Sequence, residues 1–159
     1  MAKNKILLAE PTINSKETAI LTKKILDNNF PNEGKLTKLF EKKLSRLLKV
    51  KYVVTATSGT ISIFLALKAA GVKRDDEVII PNITFPATAN AVVLAGAKPV
   101  LVDIDKKSLL INEKSLIKKI NKRTKAIIPV HVSGRGSNIK NILKIAKNKK
   151  LIVIEDAAE

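Results

Sequence analysis

Polar residues that could bind an anion or take part in acid–base chemistry follow several short apolar runs of this sequence. Ser58-Gly59-Thr60 follows the run at residues 52–57 and precedes an apolar segment with helical spacing. A helix start offers free N–H groups and the positive end of the helix dipole, which suit a phosphate, and Gly59 lets the backbone approach closely. An ordinary turn with a hydroxyl cap is the alternative. Since neither dinucleotide fingerprint is present, a mononucleotide or a single cofactor phosphate is the better match.

Phe85 and Asp156 mark two further positions where a ligand could bind. Phe85 precedes Pro86, which suits the first turn of a helix, so a planar cofactor could stack on the ring. A core phenylalanine is the alternative. Asp156 follows the apolar run 151–155, and a carboxylate at the end of a buried strand needs a partner. A protonated ring nitrogen, a backbone N–H or a lysine would serve, and a structural helix cap is the alternative.

Three other groups of residues favour structural interpretations. His131 ends another apolar run, where a hydrogen-bonded core histidine is more common than a catalyst. Asp103 and Asp105 could bind a metal, but a solvated strand end and turn is the more common arrangement. Arg135 could contact a substrate phosphate, but a solvated loop arginine is expected more often. We therefore predict no metal site.

Composition excludes several classes of protein. The 159 residues contain no cysteine and one histidine, which excludes disulfides, thiolate chemistry and cysteine-based zinc sites. The net charge is +16, but only four of the 30 basic residues are arginine and aromatics make up 3%, so we expect no nucleic-acid partner. No run approaches the ~18 apolar residues of a membrane span, and the apolar stretch at the N-terminus is too short for a secretory signal. A soluble cytoplasmic protein is the default expectation.

Two regions differ in their apolar periodicity. Residues 1–50 predict two amphipathic helices: one capped by Ser15 and running to about residue 28, then a turn at 29–34, then one over about 36–48. From residue 51 onward strands and helices alternate. The strands are predicted at 52–57, 77–81, 99–104, 126–132 and 151–155, and the helices at about 61–70, 85–95, 113–121 and 139–148.

This alternation predicts an α/β fold with a mostly parallel sheet and helices on both faces. The runs at 78–80 and 151–154 are apolar without alternation, as strands covered on both faces should be. In such sheets ligands bind beyond the carboxyl ends of the strands. The sequence therefore predicts that the polar segments after the strands meet at one edge.

The order of the motifs adds a resemblance to a known family. The chain resembles DegT/StrS-type sugar-nucleotide aminotransferases, which are fold-type I enzymes that use pyridoxal 5′-phosphate (PLP). The resemblance covers about residues 10–159. It rests on successive blocks: ATSGT at 56–60, DEVIIP at 76–81, TFPATANA at 84–91, GAKPV at 96–100, TKAIIPVH at 124–131 and IEDAA at 154–158. The resemblance implies that residues 1–50 are an N-terminal helical segment and 51–159 part of the large PLP-binding domain.

The resemblance also implies a role for each matching residue. Gly59 and Thr60 would hold the PLP phosphate, and Phe85 would stack on the pyridine ring. Asp156 would pair with the pyridine N–H, which keeps the ring protonated and able to withdraw electrons. Glu159 would lie near the phenolic oxygen of the cofactor, where an ionised carboxylate fits only loosely.

The resemblance places the Schiff-base lysine of the family beyond residue 159, so no lysine of this chain is assigned a catalytic role. We expect the chain to be inactive by itself, because transamination needs that amine. The full enzyme would transfer an amino group, with glutamate as the expected donor, to a keto sugar nucleotide in polysaccharide or secondary-metabolite biosynthesis, as a homodimer. A sugar dehydratase of the same family, with histidine in place of the lysine, and a non-catalytic fragment are the alternatives.

Overall fold

The computed structural model describes residues 13–27 and 34–159, which belong to two compact units, Met1–Thr55 and Ala56–Glu159. The first unit contains helices α1 (Ser15–Leu26) and α2 (Lys35–Leu48). The second contains α3 (Gly59–Ala69), β1 (Glu77–Pro81), α4 (Pro86–Leu94), β2 (Lys98–Val102), α5 (Glu113–Lys119), β3 (Thr124–Ile127), α6 (Ile139–Lys149) and β4 (Ile152–Val153).

Capping residues define the two helices of the first unit. Asn14, not Ser15, caps α1: its side-chain oxygen accepts hydrogen bonds from the N–H groups of Lys16 and Glu17 at 3.0 and 3.3 Å. The predicted turn lies mostly outside the described residues, since 28–33 are not among them. Helix α2 ends at Leu48, and its C-cap residue Lys49 takes the left-handed conformation with φ 54°.

The strand predicted at residues 52–57 is wrong. Among the described residues no strand pairs with this segment, and Val54 is 80% exposed. A strand needs a neighbour that accepts its N–H groups, whereas the Glu41 carboxylate accepts both the N–H and the hydroxyl of Thr55 at 2.8 and 2.9 Å. These hydrogen bonds, the backbone one first, lower the pKa of Glu41.

The second unit confirms the predicted α/β fold with a parallel sheet. Four strands lie in the order β2-β1-β3-β4, and each neighbouring pair is parallel. The prediction of β1 was correct at both ends, whereas the strands predicted at 99–104, 126–132 and 151–155 were too long at their carboxyl ends. Beyond β3 and β4 the pairing continues as a single bridge between Val130 and Asp156. Helix α5 ends at Lys119 rather than 121 because Ile120 is extended, and α6 continues to Lys149.

Helices cover both faces of this sheet. Successive residues of β1 point to opposite faces, so Val78 and Ile80 belong to one core and Ile79 to the other. The first core is completed by residues of α3, α4 and their connections: Leu67, Val72, Ala91, Val92, Ala95 and Ala97. The second is completed mainly by residues from α5 and α6: Leu116, Ile142 and Ala146. Two helix layers therefore hold the strands in register and leave their carboxyl ends free for a ligand.

Candidate functional site

A cavity of about 710 Å³ lies at the carboxyl edge of this sheet. Its lining comes from the start of α3, the β1–α4 connection, the segment after β3 and the segment after β4. The five residues singled out in the sequence all line it: Gly59, Thr60, Phe85, Asp156 and Glu159. The structure therefore brings together residues that are up to 100 positions apart in the chain.

The start of α3 combines a helix cap with free backbone donors. Ser58 caps the helix: its hydroxyl accepts the N–H of Ile61 at 3.3 Å, and its carbonyl accepts the N–H of Ser62 at 2.9 Å. The N–H groups of Gly59 and Thr60 come before that of Ser62, the first N–H with a backbone acceptor, and have no partner among the described residues. A Cβ built on Gly59 would meet no atom within 4 Å, so the backbone is open to a ligand here. The motif can therefore be a helix cap, through the Ser58 hydroxyl, and a candidate phosphate site, through the N–H groups of Gly59 and Thr60.

Phe85 is not a core residue. It is the N-cap residue of α4, where Pro86 begins the helix, and it is 75% exposed. The extended backbone of Phe85 places its ring among the residues that line the cavity. An exposed aromatic ring at the wall of a cavity offers a flat apolar surface to a planar ligand.

Asp156 is a buried carboxylate, 7% exposed, with hydrogen bonds to both oxygens. Its Oδ2 accepts the Thr88 hydroxyl at 2.7 Å, and its Oδ1 accepts the N–H of Ala158 at 3.3 Å. Its backbone is held by the parallel bridge, since its N–H donates to Pro129 at 2.9 Å and its carbonyl accepts from His131 at 3.0 Å. No Lys or Arg among the described residues forms an ion pair with it. A cationic group of a ligand would therefore find a negative charge still without a positive partner.

Thr84 and Thr88 are two further residues of this site, which were not predicted from the sequence. The Thr88 side chain is fully buried, and its hydroxyl oxygen lies 2.7 Å from that of Thr84, which lines the cavity. Two threonines four positions apart at a helix start lie on one face. That spacing was visible in the sequence, but which carboxylate they would meet was not.

Glu159 lines the cavity through a contact with the β3–α6 connection. One of its carboxylate oxygens accepts the N–H of Ser133, a residue in the left-handed conformation with φ 53°. The carboxylate therefore has a backbone donor. Its proximity to a cofactor oxygen stays a prediction.

His131 has structural partners at both ring nitrogens. Its Nδ1 accepts the N–H of Ser137 at 3.0 Å, so Nε2 carries the proton in the neutral ring and donates to Glu155 at 3.0 Å. His131 does not line the cavity. These contacts favour the interpretation of a hydrogen-bonded structural histidine.

Asp103, Asp105 and Arg135 also lie outside the cavity lining. Asp105 organises a turn, because its carboxylate accepts from the N–H groups of Ser108 and Lys107 at 2.9 and 3.1 Å. The backbone hydrogen bond from Ser108 is the main reason that the pKa of Asp105 is lowered. Within the described part of the chain, no cluster of three or more acidic, His or Cys residues could hold a metal, and no helix is long and apolar enough to cross a membrane.

The sequence profile of the DegT/DnrJ/EryC1/StrS aminotransferase family matches residues 11–159. The chain belongs to this family. It is 35% identical over 150 residues to the GDP-perosamine synthase of Vibrio cholerae, covering 94% of this chain and 41% of that protein. It is 38% identical over 148 residues to the spore coat polysaccharide biosynthesis protein SpsC of Bacillus subtilis, covering 93% and 38%.

Solved structures with bound cofactors share the fold. The crystal structure of NtdA from Bacillus subtilis with the cofactor PMP (pyridoxamine 5′-phosphate) has a TM-score of 0.87 and 36% identity, over 98% of this chain and 38% of that one. The GDP-4-keto-6-deoxy-D-mannose-3-dehydratase of E. coli with hydrated PLP has a TM-score of 0.83 and 28% identity, over 94% and 40%. The chain thus spans about two-fifths of the length of the relatives it matches.

Proposed function

We propose that this chain supplies part of the PLP site of an aminotransferase that acts on a keto sugar nucleotide. The observation that carries the proposal is the meeting of Gly59, Thr60, Phe85 and Asp156 around one cavity. Family membership and the relatives named for aminosugar and polysaccharide synthesis support the substrate class.

The described residues fit a planar cofactor with one phosphate and one protonated ring nitrogen. The N–H groups of Gly59 and Thr60 would bind the phosphate at the positive end of the α3 dipole. The exposed ring of Phe85 would pack against the face of the cofactor. Asp156, already buried and without a positive partner among the described residues, would accept the ring N–H.

When bound, the protonated pyridine ring withdraws electrons from the carbon that loses a proton during amino transfer. The contribution of Asp156 is to keep a proton on the ring nitrogen, because a buried negative charge favours the charged form of its neighbour. Phe85 would hold the face of the ring, and the N–H groups at the start of α3 would hold its phosphate. The covalent step needs an amine, and no lysine lines the cavity formed by the described residues.

We further propose the partners of the whole protein. An amino-acid donor, glutamate, and a nucleotide-linked keto sugar would bind at this cavity, and the protein would act in the cytoplasm as a homodimer. The exposed apolar side chains of α2, among them Leu39, Phe40, Leu47 and Leu48, are consistent with a partner surface on the first unit.

Cofactor binding by the chain is tested by titrating it with PMP, which requires no covalent anchor, and following protein or ligand fluorescence. Saturable binding that inorganic phosphate weakens is expected. The absence of saturable binding would overturn the proposed site. Incubation with PLP and borohydride, followed by peptide mass spectrometry, tests the expected inactivity, since stoichiometric labelling of one lysine would contradict it.

A PLP-dependent sugar dehydratase is the second candidate, because such an enzyme is among the structural neighbours. The residues that line the cavity could bind the cofactor in the same way for either reaction. The gene sequence beyond the codon for Glu159 discriminates between them: a lysine at the anchoring position supports the aminotransferase, and a histidine supports the dehydratase. A stop codon would support a non-catalytic chain.

A further inference from the structure

Two threonines of α4 and its leading turn connect the cavity to the buried carboxylate. Thr88 lies 2.7 Å from Asp156 Oδ2, and Thr84 lies 2.7 Å from Thr88, oxygen to oxygen. Thr88 is fully buried, whereas Thr84 is partly exposed and lines the cavity. The three side chains form one continuous line of hydrogen bonds, and both of its ends, Thr84 and Asp156, line the cavity.

The direction of these hydrogen bonds follows from counting protons. Both oxygens of Asp156 accept, one from Thr88 and one from the N–H of Ala158, which is the pattern of an ionised carboxylate. A threonine hydroxyl has a single proton, and Thr88 donates it to Asp156. The remaining contact must therefore run from the Thr84 hydroxyl to the Thr88 oxygen. Each donor in such a line strengthens the next one.

We propose that Thr88 is a positioning residue that holds the Asp156 carboxylate ionised and correctly oriented for a cofactor ring nitrogen, and that Thr84 supports it. This inference rests on the proposed function. A buried carboxylate without a cation needs donors to keep its charge, and each oxygen of Asp156 has one. With one lone-pair direction taken on each oxygen, the rotation of the carboxylate is fixed and the free lone pairs are left for the ligand.

The same helical turn positions the ring-stacking residue. Thr88 is three residues after Phe85, and its N–H donates to the Phe85 carbonyl at 3.1 Å. The turn that begins α4 therefore carries both the aromatic surface and the hydroxyl that orients the carboxylate. A change at Thr88 is expected to alter the pairing with the ring nitrogen, because Thr88 donates directly to Asp156. No hydrogen bond among the described residues joins Thr88 to the start of α3 at Gly59 and Thr60.

The test compares PMP affinity and its pH dependence for the wild-type chain and for Thr88→Val, Thr88→Ser, Thr84→Val and Asp156→Asn. Thr88→Val keeps the shape and removes the hydroxyl, so affinity at neutral pH should fall on the order of tenfold. The carboxylate then loses a donor, so the loss of affinity on acidification should begin at a higher pH. Thr88→Ser should restore both properties, and Thr84→Val should shift the profile in the same direction by less.

Thr124→Val is the matched control. Thr124 is a buried threonine whose hydroxyl accepts the N–H of Asn121 at 2.9 Å, at the amino end of the sheet and outside the cavity. This variant should lose some thermal stability and keep the PMP affinity and profile of the wild type. Glu155, Glu159 and His131 are the other ionisable side chains close to Asp156 in the described structure. Their hydrogen bonds go to residues other than Thr88, so the difference between the Thr88 variants and the wild type reports on Asp156.

The outcomes separate the inference from the proposed function. If the wild-type chain does not bind PMP, both are overturned. If it binds and Asp156→Asn weakens binding, while Thr88→Val keeps the wild-type affinity and profile, the inference is overturned and the function stands. If Thr88→Val does not fold, Thr84→Val and Thr88→Ser decide: an unshifted profile for Thr84→Val would overturn the inference, and a shifted one would support it.

Discussion

Two buried carboxylates lie at opposite ends of the same sheet and have different partners. Glu77, 4% exposed, begins β1 and has a cation and an amide: Arg123 at 2.6 Å and Asn121 at 2.7 Å. Asp156, 7% exposed, follows β4, and its carboxylate partners among the described residues are a hydroxyl and an N–H. The pKa of Glu77 is lowered, first by the hydrogen bond from Asn121 and then by Arg123.

This contrast indicates that the amino end of the sheet contributes to stability and that the carboxyl end is suited to a ligand. Glu77 has its positive partner within the chain, so its charge is already compensated. Asp156 has donors that stabilise its charge but no cation among the described residues. A carboxylate of this second kind is expected to bind a cationic ligand group, because the ligand completes the pair.

Asp156→Asn gives the largest expected effect and tests the ligand side of the comparison. The amide cannot compensate a ring cation, so PMP affinity should fall on the order of 100-fold. Thermal unfolding should occur at the wild-type temperature or above it, because a buried charge has been removed. Calorimetric titration and a thermal melt measure both. A variant that unfolds earlier and binds normally would reverse the roles assigned to the two carboxylates.

Phe85→Ala should lower PMP affinity by about tenfold, because the aromatic surface against the ring is removed. The ring is 75% exposed, so the free energy of unfolding in urea should hardly change. Phe85→Tyr keeps the flat surface and serves as the control. A large loss of stability for Phe85→Ala would instead indicate that the ring packs in a core.

Arg123→Ala tests the amino end of the sheet, where Glu77 lies. It leaves Glu77 with Asn121 alone, and since Arg123 is 67% exposed, the loss should be about 1 kcal/mol in the free energy of unfolding. PMP affinity should stay unchanged, because the pair lies at the amino end of the sheet. A change in PMP affinity at unchanged stability would contradict the division between the two ends.

Acidification is expected to have the smallest effect, a change in the free energy of unfolding that depends on the pKa of Glu77. Its folded-state pKa lies below its unfolded value, so its contribution is fully present above the ordinary carboxyl pKa of about 4.3. That contribution is lost as the pH falls through the folded pKa. Urea unfolding of the wild type and of Glu77→Gln should therefore give stability curves that converge on acidification. Parallel curves would show that Glu77 does not titrate with a lowered pKa.

The apolar pattern was sufficient to predict the sheet and most of its helices. Strand β1 has the predicted bounds, 77–81. Helix α4 begins at Pro86, and Gly96 follows its end in a left-handed conformation, as expected. The segment 52–57 has the same β-rich composition but forms no ladder among the described residues. Periodicity reports which side chains are apolar, whereas a strand also needs a neighbour, and no local pattern specifies that neighbour.

By itself the sequence determined the fold class, the family and the positions of the polar segments that follow the strands, because these depend on local periodicity and motif order. Which of those segments meet depends on how the strands are ordered in the folded sheet. Asp156 and Thr88 are 68 positions apart, and their hydrogen bond exists because α4 and the segment after β4 converge at one edge of a parallel sheet. The assembly of Gly59, Phe85 and Asp156 around one cavity has the same cause, since strand order, not chain order, sets which ends are neighbours.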